Sequence, residues 1–402
     1  MSAPSAAAPF RLYGTPGSLY TGKARSYLIK QSIPFENAAA GEAEFRERIV
    51  PALGRWIIPV LQTAEGALVQ DGSDIIAWFD GGHAPGVTPR WGVHAPTPRH
   101  RLIGHIFELF GGEGLLRPAM HYRWNFDAQN RAFLAADFPA ALAPTGAGPD
   151  VAAAVFDMAS TRMRKAMARF GVSDESIPAV EAAYAEFLAL FDAHLAAAPY
   201  LLGGRPTIGD FGLIAPLYAH LARDPAPAAL MKSAAFRVWR WTERMNAADH
   251  DAGEYGRPPE DLFAADAVPE TLMALLRFIA DDYLPEIRAY VGFANAWLAA
   301  RPDIAPGTSG LERTETRIIG HAEFLWRGVP VTVAVMPYRL YLLQKIQDAV
   351  DAAAPEDRAA MQALLAETGL ADLLTLRTLR RVERKGHLEV WSAPLPSSTS
   401  AR

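Results

Sequence analysis

Cysteine is absent from the 402 residues. That excludes a disulfide framework, a Cys-ligated zinc or iron–sulfur site, and a protein thiol acting as nucleophile. Any sulfur chemistry has to use a thiol that a co-substrate brings. A strong excess of one charge is also missing: 39 Lys+Arg against 44 Asp+Glu leave a net charge of −5. A general nucleic-acid binder would carry a basic stripe, so that class is excluded. No apolar run approaches the roughly 18 residues that cross a bilayer, so no membrane span is expected. The opening MSAPSAAAPF has no basic segment followed by an apolar one, so no signal peptide is expected and the expected location is cytoplasmic. The 10 histidines are scattered, with no H-E-x-x-H pattern, so no metal site is expected. What is present is a chain 50% hydrophobic and 21% charged. That mix suits a folded chain with a sizeable core, and the length allows two or three domains.

The first stretch alternates element types. Phe10–Gly14 reads as a strand, TPGSLYTG as a turn-rich loop, and KARSYLIKQ as a helix with Ala24, Tyr27 and Leu28 on one face. A second strand is expected from Ile33, a hairpin over Trp56–Thr63 and Ala67–Asp71, and a helix over Ser73–Phe79. The result is a small α/β unit. Pro59 stands in an otherwise apolar strand and cannot donate to a ladder, so an edge or a special turn is expected, and a cis bond is one way to build it. Residues 81–99 hold Gly and Pro densely and read as a linker. Apolar residues at helical spacing then predict helices over Arg101–Trp124, Val151–Phe170, Ile177–Ala197, Ile208–Ala222 and Met231–Ala247. After a break at 249–263, a helical pair is expected at Pro269–Leu298, two strands around Arg327–Gly328, and a helix at Arg339–Ala352. The run RTLRRVERKGH reads as a solvated helix face, and the tail from residue 393 as disordered by composition.

Few segments carry chemistry on their own. Gly17–Lys23 matches most of a phosphate-binding loop, but Ala24 stands where Ser or Thr must hold Mg²⁺. Nucleotide binding is set aside on that ground. In GGRPTIGDFGLIAPLYAHL, Thr207 is a natural N-cap and Asp210 stands at the third helical position, where its carboxylate can return a bond to the cap.

The pattern around Thr207, Ile208 and Asp210 resembles the capping box of the glutathione S-transferase C-terminal domain. The N-terminal unit agrees with it: strand, the loop Ser18–Arg25, helix, strand, then a Pro59-bearing strand of thioredoxin type. QSIPFE extends the similarity, which covers residues 10 to about 250. The remainder looks like the extension of a long bacterial subgroup. The resemblance implies an α/β thioredoxin-like glutathione-binding domain at 1–88, an all-α transferase C-terminal domain at 96–250, an additional α+β region at 256–392, and a disordered tail at 393–402.

The resemblance also implies residue roles. Ser18 falls where the family keeps its catalytic Ser or Cys, and its hydroxyl would stabilise the glutathione sulfur as thiolate. A free thiol near pKa 8.5 is about 3% ionised at pH 7, and lowering it by about 2 units takes about 2.7 kcal/mol. One charge-assisted hydrogen bond plus a helix N-terminus can supply that. Ser18 is equally a plain helix cap, and Tyr13 and Tyr20 are competing hydroxyls. Ile58–Pro59 matches the cis-proline step that pairs with the cysteinyl part of glutathione, and is equally a structural edge proline. Asp71, Gly72 and Ser73 match the turn that grips the γ-glutamyl end, with Gly72 where the family keeps a hydroxyl. Glu113, Arg117, His121 and Trp124 could wall an acceptor pocket or be ordinary buried helix residues. The expected activity is glutathione S-transferase: attack of glutathione thiolate on a hydrophobic small-molecule electrophile, with glutathione as co-substrate, no metal, and a homodimer. A non-catalytic ligand- or protein-binding module of the same architecture is the alternative.

Overall fold

The structure is a computed structural model that describes residues 10–313 and 316–395. The expected absence of a signal peptide falls on residues outside this range, and so does the tail beyond Leu395.

A sheet of four strands, ordered β2-β1-β3-β4, organises the first unit. β1 (Arg11–Gly14) lies between a parallel β2 (Glu36–Ala39) and an antiparallel β3 (Val60–Gln62), and β4 (Leu68–Gln70) completes the edge. Strand alternation sends Leu12 into the main core and Tyr13 to the opposite face, against Phe45 and Val60. α1 (Leu19–Lys30) covers the first face, α2 (Val50–Leu53) adjoins the second, and α3 (Gly72–Asp80) closes the unit. The second strand starts later than the sequence predicts. Pro34 has no N–H to give, and pairing begins at Glu36, which donates to Phe10 O at 2.9 Å. The Pro59 strand likewise begins only at Val60, because the Ile58–Pro59 bond is cis and turns the chain.

Helices follow from residue 98. α4 is Pro98–Leu109 and α5 is Leu116–Trp124, separated by a wide turn at Phe110–Gly114. The sequence predicts one helix here. The interruption follows from close packing: a Cβ on Gly111 would lie 2.5 Å from Leu213 N. α6 (Asp127–Leu142) was not expected, and α7 (Pro149–Ala166) returns against it. α8 (Ile177–His194) leads to the capped α9 (Ile208–Ala219), where Asp210 accepts the Thr207 N–H at 2.9 Å. The predicted helix over 231–247 is two, α10 (Pro225–Ala234) and α11 (Phe236–Arg244), broken at Ala235. α12 (Glu270–Asp282) and α13 (Leu284–Ala299) form the expected pair.

The last part holds two hairpins and two helices. β5 (Gly320–Trp326) and β6 (Val329–Val335) are joined through Arg327 and Gly328, both at positive φ as a two-residue turn requires. α14 (Pro337–Asp351) and α15 (Pro355–Glu367) precede β7 (Arg380–Lys385) and β8 (Leu388–Pro394). The basic run is therefore a strand, not a helix. Its buried positions, Arg380 and Val382, follow strand alternation.

The expected linker is not a loose tether: Val93 is buried, and its C=O accepts the Ile208 N–H at 3.0 Å. One hydrophobic core runs from Phe10 to Trp391. The C-terminal part belongs to that core, with α14 and α15 packed on α4 and α13 packed on β5. Among the described residues no helix is long and apolar enough to cross a membrane.

Candidate functional site

Three pieces of the first unit meet at one corner. β1 ends at Gly14, and the loop after it delivers Ser18 as the N-cap of α1. Ser18 has extended backbone, φ −93° and ψ 126°, and its Oγ accepts the Thr21 N–H at 3.3 Å. That bond uses an oxygen lone pair and leaves the hydroxyl hydrogen without an acceptor among the described residues. The side chain is half-buried. The second piece is the cis step. Pro59 O accepts the Asp71 N–H at 3.2 Å, while Ile58 N–H and C=O have no partner among the described residues. The third is the start of α3. A Cβ on Gly72 would lie 2.8 Å from Tyr20 O, so α1 and α3 touch here. That contact explains why glycine stands where a hydroxyl was expected.

Asp71 sits in a rare conformation, φ 91° and ψ 139°. Such backbone is costly for a non-glycine residue and concentrates at functional sites. Its Oδ1 accepts the Ser73 N–H at 2.9 Å. The same oxygen accepts the Tyr338 hydroxyl at 3.0 Å, and that hydroxyl lies 3.1 Å from Ser73 Oγ. Ser73 donates to Glu108 Oε1 at 2.8 Å, and Lys23 Nζ donates to both Ser73 Oγ and Glu108 at 2.7 Å. Lys345 reaches Glu108 from α14 at 3.3 Å. Burial works against charge on Glu108, yet Lys23 and Lys345 hold its carboxyl well below the usual range. Arg384 of β7 bonds Asp74 at 2.8 Å and Gln70 at 3.3 Å. Burial and the neighbouring Asp71 push Asp74 up to about 6, against the pull of Arg384. Burial and Asp71 likewise push the Tyr338 phenol well up, so it is a neutral donor.

The two rival hydroxyls are otherwise engaged. Tyr13 is stacked on Phe45 across the sheet, takes a bond from Arg11 at 2.5 Å, and lies 3.4 Å from Gln62 Oε1. Burial raises it to about 12, which disfavours an ionised phenol. Tyr20 donates to Glu113 at 2.8 Å, and burial with that carboxylate pushes it well up. It adjoins the corner but is committed as a donor.

The four residues expected to wall an acceptor pocket do not share a cleft. Glu113 is buried between Tyr20 and Arg339. Arg117 pairs with Glu286 at 2.6 Å and lies over Trp326. His121 bonds Glu181 at 2.9 Å, and Trp124 is buried with Met120, Leu134 and Phe156. Glu113 and Arg117 join one buried ion-pair network through Arg339 and Glu286, while His121 and Trp124 meet other neighbours, so all four have the character of buried helix residues, the second of the two expectations. Next to Ser18, Arg123 of α5 donates to Gly17 O at 2.9 Å, and Arg223 pairs with Asp137 of α6 beside Gly17. Among the described residues no group of three or more His, Asp or Glu could hold a metal.

The groups that sequence reasoning missed come from α14 and β7: Tyr338, Arg339, Lys345 and Arg384. Tyr338 is separated from Asp71 by 267 residues, and no local motif marks it.

Similar solved structures include several described as glutathione transferases and one described as a beta-etherase. One, a glutathione S-transferase from Xanthobacter autotrophicus Py2, is 20% identical, with 59% of this chain and 93% of that chain covered at a TM-score of 0.32. The beta-etherase LigF from Sphingobium sp. strain SYK-6 is 15% identical over 62% of this chain and all (100%) of its own, at 0.42. Glutathione transferase GSTFuA3 from Phanerochaete chrysosporium is 17% identical over 61% and 98%, at 0.41. No protein-family profile and no curated protein matches the chain.

Proposed function

We propose that the chain binds glutathione at this corner and activates its thiol as a glutathione transferase. The observation that carries the reading is Ser18. Its hydroxyl is oriented by the Thr21 N–H at the N-terminus of α1, and its hydrogen is left to donate. A thiolate there gains a charge-assisted hydrogen bond and the positive end of the helix. The unpaired Ile58 N–H and C=O beside the cis bond suit the cysteinyl backbone of the tripeptide. Asp71 suits the ammonium of its γ-glutamyl end.

In the reaction the thiol proton leaves to solvent. The sulfur lone pair forms a C–S bond to an electrophilic carbon, and the leaving group departs with the electrons of the bond that breaks. The Ser18 hydroxyl stays protonated throughout and acts only as donor. A conjugation, an isomerisation and an ether cleavage all use this thiolate.

A second reading, a binding module without turnover, draws support from Tyr338, whose hydroxyl already donates to Asp71. Retention on immobilised glutathione followed by turnover of an aromatic halide separates the two. Turnover lost in Ser18→Ala with binding kept supports the enzyme. Binding without turnover, unaltered by that substitution, supports the module, and no calorimetric heat with glutathione removes the enzyme and leaves only a module for another ligand or protein.

The packing of α14 and α15 on α4, and of Arg384 on Asp74, favours a chain acting alone over the expected homodimer. Residues of the same chain cover both the first unit and the helical part, which a partner subunit would otherwise contact. Light scattering is expected to give a mass near 43.6 kDa; twice that mass would restore the dimer.

A further inference from the structure

The polar groups of the corner are not equally satisfied. Ser18 and Ile58 keep groups without partners among the described residues, but Asp71 and Ser73 are only 5% and 2% exposed, and Asp71 Oδ1 accepts the Tyr338 hydroxyl, which lies 3.1 Å from Ser73 Oγ. Tyr338 belongs to the second residue of α14, a helix anchored on α4. Its ring packs edge-on against Tyr20, with centroids 6.1 Å apart, so the hydroxyl is held over the start of α3. The neighbouring contacts are of a different kind. Arg384 holds Asp74, Lys345 holds Glu108, and Arg339 ties Glu113 to Glu286. Those ion pairs anchor the segment whether or not the Tyr338 hydroxyl is present.

We propose that Tyr338 is a specificity-determining gate, whose hydroxyl competes in cis for the Asp71 carboxylate with the ammonium end of a γ-glutamyl thiol. This rests on the glutathione reading above. An incoming ammonium has to displace a neutral hydroxyl donor that is already in place and already desolvated. The penalty falls on ligand binding and leaves the Ser18 end alone. A thiol without the γ-glutamyl group does not contend with Tyr338.

Tyr338→Phe removes the competing hydroxyl and keeps the ring that packs on Tyr20. The measurement is calorimetric titration of the full chain, wild type and variant, with glutathione and with cysteinylglycine, which lacks the γ-glutamyl group. The gate predicts about tenfold tighter glutathione binding in the variant, the size of one hydrogen bond to a charged group. It predicts no change for cysteinylglycine. A ring with a merely structural role does not tighten binding when altered. Equal or weaker glutathione binding by a variant with wild-type thermal unfolding overturns the gate and leaves the glutathione reading standing. An equal gain for both thiols also overturns it, since the effect is then not at the γ-glutamyl end. No binding of glutathione to either protein overturns the gate together with the reading it rests on. If Tyr338→Phe fails to fold, the wild-type chain carries the test: cysteinylglycine binding at least as tight as glutathione supports the gate, and glutathione binding about tenfold tighter overturns it.

Discussion

The two ends of the proposed glutathione seat are built by different rules. At the Ser18 and Ile58 end, the Ser18 hydroxyl hydrogen and the Ile58 backbone groups have no partner among the described residues, as a recognition site requires. At the Asp71 and Ser73 end Asp71 Oδ1 and Ser73 Oγ are both engaged, as in a protein interior, by Lys23, Glu108 and Tyr338. The first end is local: β1, α1 and the cis step supply it within the first 60 or so residues. The second is assembled from α1, α3, α4 and α14, which lie far apart in the chain. Buried polar groups have to be paired because an unpaired one carries its whole desolvation penalty. A segment that brings partners to the seat therefore stabilises the fold and reduces what a ligand can gain there.

The contrast breaks most directly at Glu108. This carboxylate is the shared partner of Lys23, Lys345 and Ser73, and it is 1% exposed. Glu108→Ala leaves two lysines facing each other in the interior and is expected to destabilise by about 3–5 kcal/mol, read by urea unfolding. A loss under 1 kcal/mol, the range of exposed pairs, would mean that the satisfied end is not the anchor described.

Ser18→Ala tests the other end. The cap oxygen and the thiolate donor go together, so catalysis falls far more than stability. A loss of about 10²-fold in kcat/KM is expected, equal to about 2.7 kcal/mol, against roughly 1 kcal/mol of helix capping. Comparable losses in rate and stability would reduce Ser18 to a structural cap.

Lys30 sharpens the comparison on a single helix. Two turns earlier, Lys23 is met by a carboxylate; Lys30 meets the Asp249 carbonyl at 2.7 Å and lies over the Tyr200 ring. Burial, with Arg244 nearby, lowers Lys30 to about 7. In the unfolded chain it holds its proton up to about 10.4. Between those values the unfolded state binds more protons, so stability rises with pH through that window. Lys30→Met removes the dependence. The stability difference between variant and wild type, measured by denaturation, is expected to favour the variant most near pH 7 and to shrink toward pH 10. A difference independent of pH would show that Lys30 stays charged.

Much of the first unit was legible because its signals are short-range. Turn residues before Ser18, alternation in β1, and a proline misplaced for a ladder all act within a few residues. The cap at Thr207 and Asp210 was readable for the same reason. Helical spacing marked the bundle but not its interruptions. The turn at Phe110–Gly114 answers to the backbone of α9, which lies about 100 residues further on. The basic strand β7 was misread because a charge run says nothing of the carboxylates it will meet: Arg384 finds Asp74 310 residues away. Among the site residues, Ser18 caps α1, and Pro59, Asp71 and Gly72 meet at the start of α3. Arg117, His121 and Trp124 were drawn apart by packing, and Tyr338 carried no sign of its place.

Sequence alone determined the absence of protein sulfur chemistry, the run of strands and helices in the first unit, the capped helix, and a hydroxyl at the head of α1. Those follow from composition and from interactions between near neighbours. Tertiary structure decided which polar groups are left open and which are closed. That outcome depends on α14 and β7 folding back over α3 and α4, because a buried donor or acceptor takes whatever partner the packed chain brings within reach, however distant in sequence.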